Sequence, residues 1–264
     1  MKFINQSFEI IKQENSLQGI EKQIELAGRV CYKSEDKITN DSSKSFVERL
    51  IKQKHTSVLE HGTVYLIINK SEDIYFYKHN KYSAYTYDER FYYITTNYRV
   101  LVENNRLDDI NKYHSELTDK HIKRISVRFI CSRAIATELI RHRVFSFSQE
   151  STRYCNYSKS KFNNQLTFII PSFYDNLSIK DRLNLDILFG RQEVMYLDLL
   201  EKGFKPQEVR ALLPLTLKTE IIMTGFEYDW KHFFELRTST NVHPDMLELT
   251  IPLRDKLINE NMII

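Results

Sequence analysis

The sequence predicts an α+β fold, a single domain with helices arranged around a mixed β-sheet, and three observations predict it. Helical and strand-like hydrophobic periods both occur along the chain. Every uninterrupted apolar run is far shorter than the roughly 18 residues of a membrane span. No linker, repeat or low-complexity segment divides the 264 residues, so one domain is expected over 1–264.

The elements follow in order. Ile20, Ile24, Ala27 and Cys31 recur at helical spacing, and Phe46, Val47, Leu50 and Ile51 do so again after the Thr/Asn/Asp/Ser cluster at 39–43, which predicts two amphipathic helices. Val64-Tyr65-Leu66-Ile67-Ile68 is short, β-branched and aromatic, as a strand is. The segment from about 69 to 124 is rich in tyrosine and charge. Tyr82, Tyr85, Tyr87, Tyr92 and Tyr93 partly alternate there, like a β-ribbon, and the segment reads as an insertion. From Ile125 the residues Ile125, Val127, Phe129 and Cys131 alternate with Ser126, Arg128 and Ile130, and Ser132 is placed to cap a helix running toward Arg141. A long amphipathic helix is expected between Ser178 and Gly203, with Gly203 as its stop and Pro206 starting the next. Thr219 to Leu236 is apolar enough to be buried for much of its length, and Pro244 opens a last helix containing Leu247, Ile251 and Leu257.

Composition narrows the partners. Lys and Arg outnumber Asp and Glu by 38 to 35, which gives no general attraction to nucleic acid or a membrane. Cys31, Cys131 and Cys155 are widely spaced and form no CxxC, so neither a disulfide framework nor a zinc site is expected. Met1 to Gln6 lacks an apolar leader, and a cytoplasmic protein is expected. No GxGxxG or GxxxxGK[ST] occurs, so any nucleotide must be held by other means.

The densest chemistry lies at Glu138-Leu139-Ile140-Arg141-His142-Arg143, followed by Val144 to Glu150 and then Ser151-Thr152-Arg153-Tyr154. A guanidinium stays charged and offers two hydrogen bonds to a phosphate or carbonyl, so this clustering beside Ser and Gln suits a nucleotide or a flavin. A solvated helix end, where cations complement the dipole, accounts for the triplet alone equally well. The same basic and aromatic stretch from Arg141 to Tyr154 also fits a nucleic-acid-binding module. His55 and His61 with Glu60 look like metal ligands, yet six-residue spacing does not place two histidines on one helical face, and no metal is expected.

Arg-His-Arg, seven residues, then Ser is the signature of the flavin-dependent thymidylate synthases, which this sequence resembles from Arg141 to Ser151. Further blocks follow in that family's order: His55-Thr56-Ser57-Val58-Leu59-Glu60-His61, then Val209-Arg210-Ala211-Leu212-Leu213-Pro214, then His232-Phe233-Phe234-Glu235-Leu236-Arg237. The resemblance covers roughly 16–68 and 125–260 and leaves 69–124 as a family-atypical insert.

The resemblance implies the family's fold and a noncovalent FAD, with dUMP as acceptor, methylenetetrahydrofolate as one-carbon donor and NADPH as reductant. It implies a homotetramer with sites between subunits, and small-molecule partners rather than nucleic acid or membrane. By position in the matched motifs, Ser57, Arg141, His142, Arg143, Gln149 and His232 would contact FAD, with His55 near flavin and folate. The dUMP contacts carried over are Glu138, Leu139, Ile140, Arg141, Gln149, Glu150, Ser151, Thr152, Arg153, Arg210 and Arg237. Arg237 is the expected catalytic residue, a fixed cation for negative charge developing on the uracil. Ser151 is expected to position the substrate rather than attack it, because no base is evident beside it. Cys155, without an activating neighbour, is expected to be structural. A family-like protein that keeps the pocket but has lost turnover, its insert blocking a ligand, is a third possibility. Many relatives carry Asn-x-Arg where this chain has Phe226-Glu227-Tyr228, so adenine-side contacts are not carried over there.

Overall fold

A computed structural model describes residues 1–263. In chain order, strands β1 (Lys2–Ile4) and β2 (Ser7–Ile11) precede helices α1 (Leu17–Tyr32) and α2 (Ser42–Lys52). A 3-10 turn over Thr56–His61 leads into β3 (Thr63–Asn69). The tyrosine-rich stretch holds α3 (Tyr75–His79), β4 (Ala84–Tyr87), β5 (Phe91–Asn97), α4 (Tyr98–Glu103) and α5 (Asp108–Tyr113). There follow β6 (Arg124–Ser132), α6 (Arg133–Leu139), β7 (Ser146–Gln149), β8 (Thr167–Ile169), α7 (Ile179–Glu201) and α8 (Pro206–Val209). The chain ends with β9 (Lys218–Phe226), α9 (Glu227–Arg237) and α10 (Pro244–Asn259).

The α+β class holds, and the strands divide among three sheets. The largest is antiparallel in the order β2-β6-β9-β7, a second is antiparallel in the order β3-β5-β4, and β1 with β8 forms a parallel pair. The alternation at 125–131 is realised: Ile125, Val127, Phe129 and Cys131 join Ile221 and Met223 in a core closed by Trp230, Phe233, Met246 and Leu253. Ile222, on the opposite face of β9, packs instead on Ala27 and Val30 of α1.

Local signals explain the boundaries. The Ser16 hydroxyl accepts the Gly19 N–H to start α1, and Lys33 at φ 48° closes it by donating to Arg29 and Val30 carbonyls. Ser132 and Ser178 cap α6 and α7 in the same way, and Gly203 at φ +93° follows the end of α7. The tyrosine-rich segment supplies β4 and β5, and Ile94, Tyr98, Leu101 and Ile110 share a core with Ile20, Ile24, Val47 and Leu66. Among the described residues no helix is long and apolar enough to cross a membrane.

A buried polar layer joins these cores. Gln23 of α1 donates to the His61 carbonyl (2.7 Å) and the Ser126 hydroxyl (3.0 Å), while His61 Nδ1 meets Thr224 Oγ1 at 2.8 Å. Directional hydrogen bonds between buried polar groups fix one arrangement of the elements that carry them, although Gln23 Oε1 and His61 Nε2 are left without a partner. Here they pin the turn carrying His55 and Ser57 against β6 and β9.

Candidate active site

The Arg141-His142-Arg143 triplet occupies the turn between α6 and β7, because α6 stops at Leu139 and the His142 N–H donates to the Leu139 carbonyl (3.1 Å). Phe145 anchors the turn. Its ring lies 4.9 Å from that of Trp230 and 6.1 Å from that of Phe233. The approach requires glycine at 225, where an added Cβ would sit 2.4 Å from the Phe145 ring. Trp230 itself is fully buried and donates its Nε1–H to the Ile125 carbonyl at 3.1 Å.

Arg237, at the last turn of α9, is held by three acceptors from this same region. Nε donates to His142 Nε2 (2.9 Å), Nη1 to Glu138 Oε2 (2.7 Å) and Nη2 to the Glu138 carbonyl (3.1 Å). Of the five guanidinium N–H groups, three are thereby committed, leaving one on each Nη. His142 accepts through Nε2, so in its neutral form the proton sits on Nδ1. Burial, reinforced by the Arg237 and His232 charges, pushes His142 down to about 4, and the ring stays neutral beside the guanidinium at physiological pH. The arrangement is a fixed cation at the edge of the motif, able to stabilise developing negative charge without reorganising.

A cavity of about 540 Å³ gathers His55, Ser57, Gln149 and Ser151 with Cys31, Tyr32, Lys54, Arg99 and Tyr154. His55 and Ser57 are exposed, whereas Gln149 donates to Thr219 Oγ1 (3.3 Å). Ser151 is fixed by its backbone N–H to the Cys31 carbonyl (3.0 Å), and its hydroxyl accepts only the Arg153 N–H (3.3 Å). No base lies against it among the described residues, in keeping with a positioning role. The rings of Tyr32 and Tyr154 lie 5.1 Å apart and wall the cavity.

A second cavity, of about 510 Å³, is lined by Arg143, Val144, Phe145 and Ser146 of the motif, by Lys81, Tyr82 and Asn97 of the tyrosine-rich segment, and by Arg124, Phe226 and Tyr228. Sequence reasoning singled out neither Lys81 nor Arg124. Arg124 enters through strand register, being the partner of Phe226 across β6 and β9. Asn97 caps α4 through its side chain (3.1 Å to the Val100 N–H) as well as lining this cavity.

Other expected contacts lie elsewhere. Glu150 is 2 % exposed and accepts from Tyr157 (2.9 Å) and Lys218 (3.0 Å). It belongs to a network in which Lys33, Lys218 and Arg128 face Glu35, Glu150 and Glu220 beside a further cavity of about 420 Å³. Burial alone would raise Glu220, but Lys218, Lys33 and Arg128 outweigh it and bring it down to about 2. Leu139 is buried in the core, Thr152 is buried, and Ile140, Arg141, Arg153, Arg210 and His232 are exposed. The His232 ring meets Glu235 (3.2 Å) on the outer side of α9. Burial pushes the Cys155 thiol up to about 12, which disfavours the reactive thiolate. Among the described residues no cluster of His, Cys, Asp or Glu is suited to a metal. The basic stretch does not form one continuous face: Arg143 lines one cavity, Ser151 and Tyr154 another, and Glu150 is internal. That division does not favour binding along a nucleic-acid backbone.

A family model described as thymidylate synthase complementing protein matches residues 13–75 and 80–259, running through most of the tyrosine-rich segment. The chain is 29% identical over 142 residues to a probable flavin-dependent thymidylate synthase of Paramecium bursaria Chlorella virus 1, covering 49% of this chain and 63% of that protein. It is 28% identical over 137 residues to a flavin-dependent thymidylate synthase of Pyrococcus furiosus, covering 50% and 53%. A third protein of that description, from Corynebacterium aurimucosum, is 24% identical over 238 residues, covering 86% and 72%. The chain thus matches less than two thirds of the length of the first two relatives.

Proposed function

The chain belongs to the thymidylate synthase complementing protein family, and from that premise we propose that it converts dUMP to dTMP with FAD, methylenetetrahydrofolate as one-carbon donor and NADPH as reductant. The observation that carries this reading is the Arg237 knot. A guanidinium is held against a neutral imidazole and a glutamate at the motif's edge, with one N–H on each Nη uncommitted.

The residues fit the groups the reaction needs. Arg141 and Arg143 form no ion pair or side-chain hydrogen bond among the described residues, so both are free to meet phosphate or flavin oxygens. His55, Ser57 and Gln149 offer a ring, a hydroxyl and an amide at the wall of the 540 Å³ cavity, where flavin and folate would meet. Bound FAD, once reduced, supplies the hydride that turns a transferred methylene into a methyl group. In the balanced reaction dUMP gains the methylene carbon and a hydride and loses the ring proton, NADPH is oxidised, and tetrahydrofolate leaves. Arg237 stabilises negative charge on the uracil, Ser151 orients the nucleotide, and Arg153 and Arg210 offer forks to its phosphate.

The exposed positions of Arg141, Arg153 and Arg210 favour a site completed by other copies of the chain, as in a homotetramer. On α7, Ile179, Leu183, Ile187 and Val194 are all more than half exposed, an apolar row of the kind that subunit contacts cover. The test is dTMP formation by purified protein given FAD, dUMP, methylenetetrahydrofolate and NADPH. Arg237→Ala is expected to lower turnover by roughly 10²–10³, the range for removing one preorganised donor. Protein that binds no FAD and forms no dTMP would refute the proposal, and an unimpaired Arg237→Ala would refute the role given to that residue.

A further inference from the structure

The short helix α4 ties the tyrosine-rich segment to the 3-10 turn over Thr56–His61. Tyr98 and Leu101, three residues apart, are buried in the core that also holds Leu59 of that turn. Arg99 and Glu103, four apart, meet the turn with their side chains. The Tyr98 N–H donates to the Gly62 carbonyl (2.8 Å), just past the turn's end. Arg99 donates through Nη1 to Glu60 Oε1 (2.5 Å) and through Nε to Glu103 Oε1 (2.8 Å). The same Glu103 oxygen accepts the Thr56 hydroxyl (2.7 Å). That hydroxyl, joined by Arg99, holds the Glu103 carboxyl below its usual range, so it is ionised at physiological pH.

The turn is thereby gripped at its first residue, Thr56, and near its last, Glu60, by two side chains one helical turn apart. His55 and Ser57 flank Thr56 and make no side-chain hydrogen bond of their own among the described residues, so the backbone of the turn sets where they stand at the wall of the 540 Å³ cavity. Arg99 lines that cavity with them. The Arg99 side chain is 34 % exposed, and a single ion pair at such a site adds little to stability. Four linked groups that hold a turn at two points act on its geometry instead. Geometry is what a side chain facing a reacting ligand depends on, since a misplacement of about 1 Å costs on the order of 10²-fold in rate.

We propose that Arg99 is a positioning residue for the reaction: by tying Glu60 to Glu103 it fixes the turn that presents His55 and Ser57, so the tyrosine-rich segment braces the active site. Resting on the flavin reading above, the brace sets how the His55 ring and the Ser57 hydroxyl stand toward the flavin. Arg99 acts through the turn and not by touching the reacting atoms. The segment then supports turnover rather than blocking a ligand.

Amide hydrogen exchange on the full chain tests the brace without any cofactor, and turnover tests its consequence. Arg99→Ala is expected to speed exchange over 56–61 about tenfold, while α6 changes less than about twofold. Turnover should fall about tenfold or more, with dUMP affinity within about twofold of wild type, because Arg153, Arg210 and Arg237 lie outside the turn. Arg99→Lys, which keeps the charge, should recover part of both effects. Thr56→Val, which removes only the hydroxyl, should give a smaller change of the same sign. Exchange in Arg99→Ala that is unchanged over 56–61, or raised equally throughout the chain, would overturn the proposal and leave the flavin reading standing. So would wild-type turnover in a variant whose turn exchanges faster. Wild-type protein that binds no FAD and forms no dTMP would refute the flavin reading, and with it the part given to Arg99 in the reaction, whatever the exchange shows.

Discussion

Two arginines of this protein sit in cavities or knots of opposite character, and the contrast separates what the fold needs from what a ligand would supply. Arg237 is anchored from within, three of its five N–H groups donating to His142 and to both acceptors of Glu138. Arg124 is buried to a comparable degree but keeps an unmet Nε and faces open space with Arg143 and Lys81. Internal anchoring holds a charge in place before any ligand arrives. An unmet charge marks where a ligand's own charge belongs.

The sharpest way to break this comparison is to disturb the packing under each region. Trp230→Ala removes the ring that supports Phe145 and Phe233 beneath the Arg237 knot. It is expected to cost ~3–5 kcal/mol in denaturant unfolding, as large core truncations do. Tyr82→Ala at the open cavity is expected to stay within about 0.5 kcal/mol of wild type. A Tyr82 variant as damaged as the Trp230 variant would mean that the cavity is a structural element.

A smaller effect tests the anchoring itself. Glu138→Ala strips Arg237 of its carboxylate partner and should destabilise by ~1.5–3 kcal/mol, the range for a hydrogen bond to a charged group. Turnover should fall with it, because the guanidinium loses its orientation. Full stability in Glu138→Ala would show that Arg237 does not depend on this pair.

Acid provides the gentlest probe. The buried ring of His61 is held down to about 3 by desolvation and by Arg124, and that of His142 to about 4, against an ordinary 6.5. The unfolded chain therefore takes up protons that the folded chain refuses. Stability from these rings is complete above about pH 6.5 and is lost as pH falls toward 3, with a limiting slope for His61 of ~1.4 kcal/mol per pH unit. Unfolding midpoints measured at pH 7.5, 5.5 and 4.5 should fall in that order. A flat profile would contradict the neutral state of both histidines.

How much of this could be read from sequence follows the distance over which each signal acts. The helices at 17–32, 42–52 and 179–201, the strand at 124–132 and the Ser132 cap are written in neighbouring residues and were legible. The strands at 7–11, 146–149 and 167–169 are only 5, 4 and 3 residues long, too short for a hydrophobic period to mark them. The Arg-His-Arg motif named its own region, but its residues went to separate places: Arg143 to one cavity, His142 to the Arg237 knot, Glu150 to an internal network. Glu138 and Arg237 meet across 99 residues. Arg124 reaches the cavity only because β6 and β9 pair in a register that sets it opposite Phe226. Such contacts are created by the fold and leave no local pattern.

The six-charge network of Lys33, Glu35, Arg128, Glu150, Lys218 and Glu220 also governs how this sequence can change over time. Glu220 alone accepts from three cations contributed by the end of α1, by β6 and by its own strand. Losing one member strands a buried opposite charge, at a cost of about 3–5 kcal/mol, a large share of a domain's stability. Drift at these positions therefore proceeds in compensated pairs or not at all. Divergent descendants of this chain should exchange whole charge sets there, while the solvent-facing lysines around them vary one at a time.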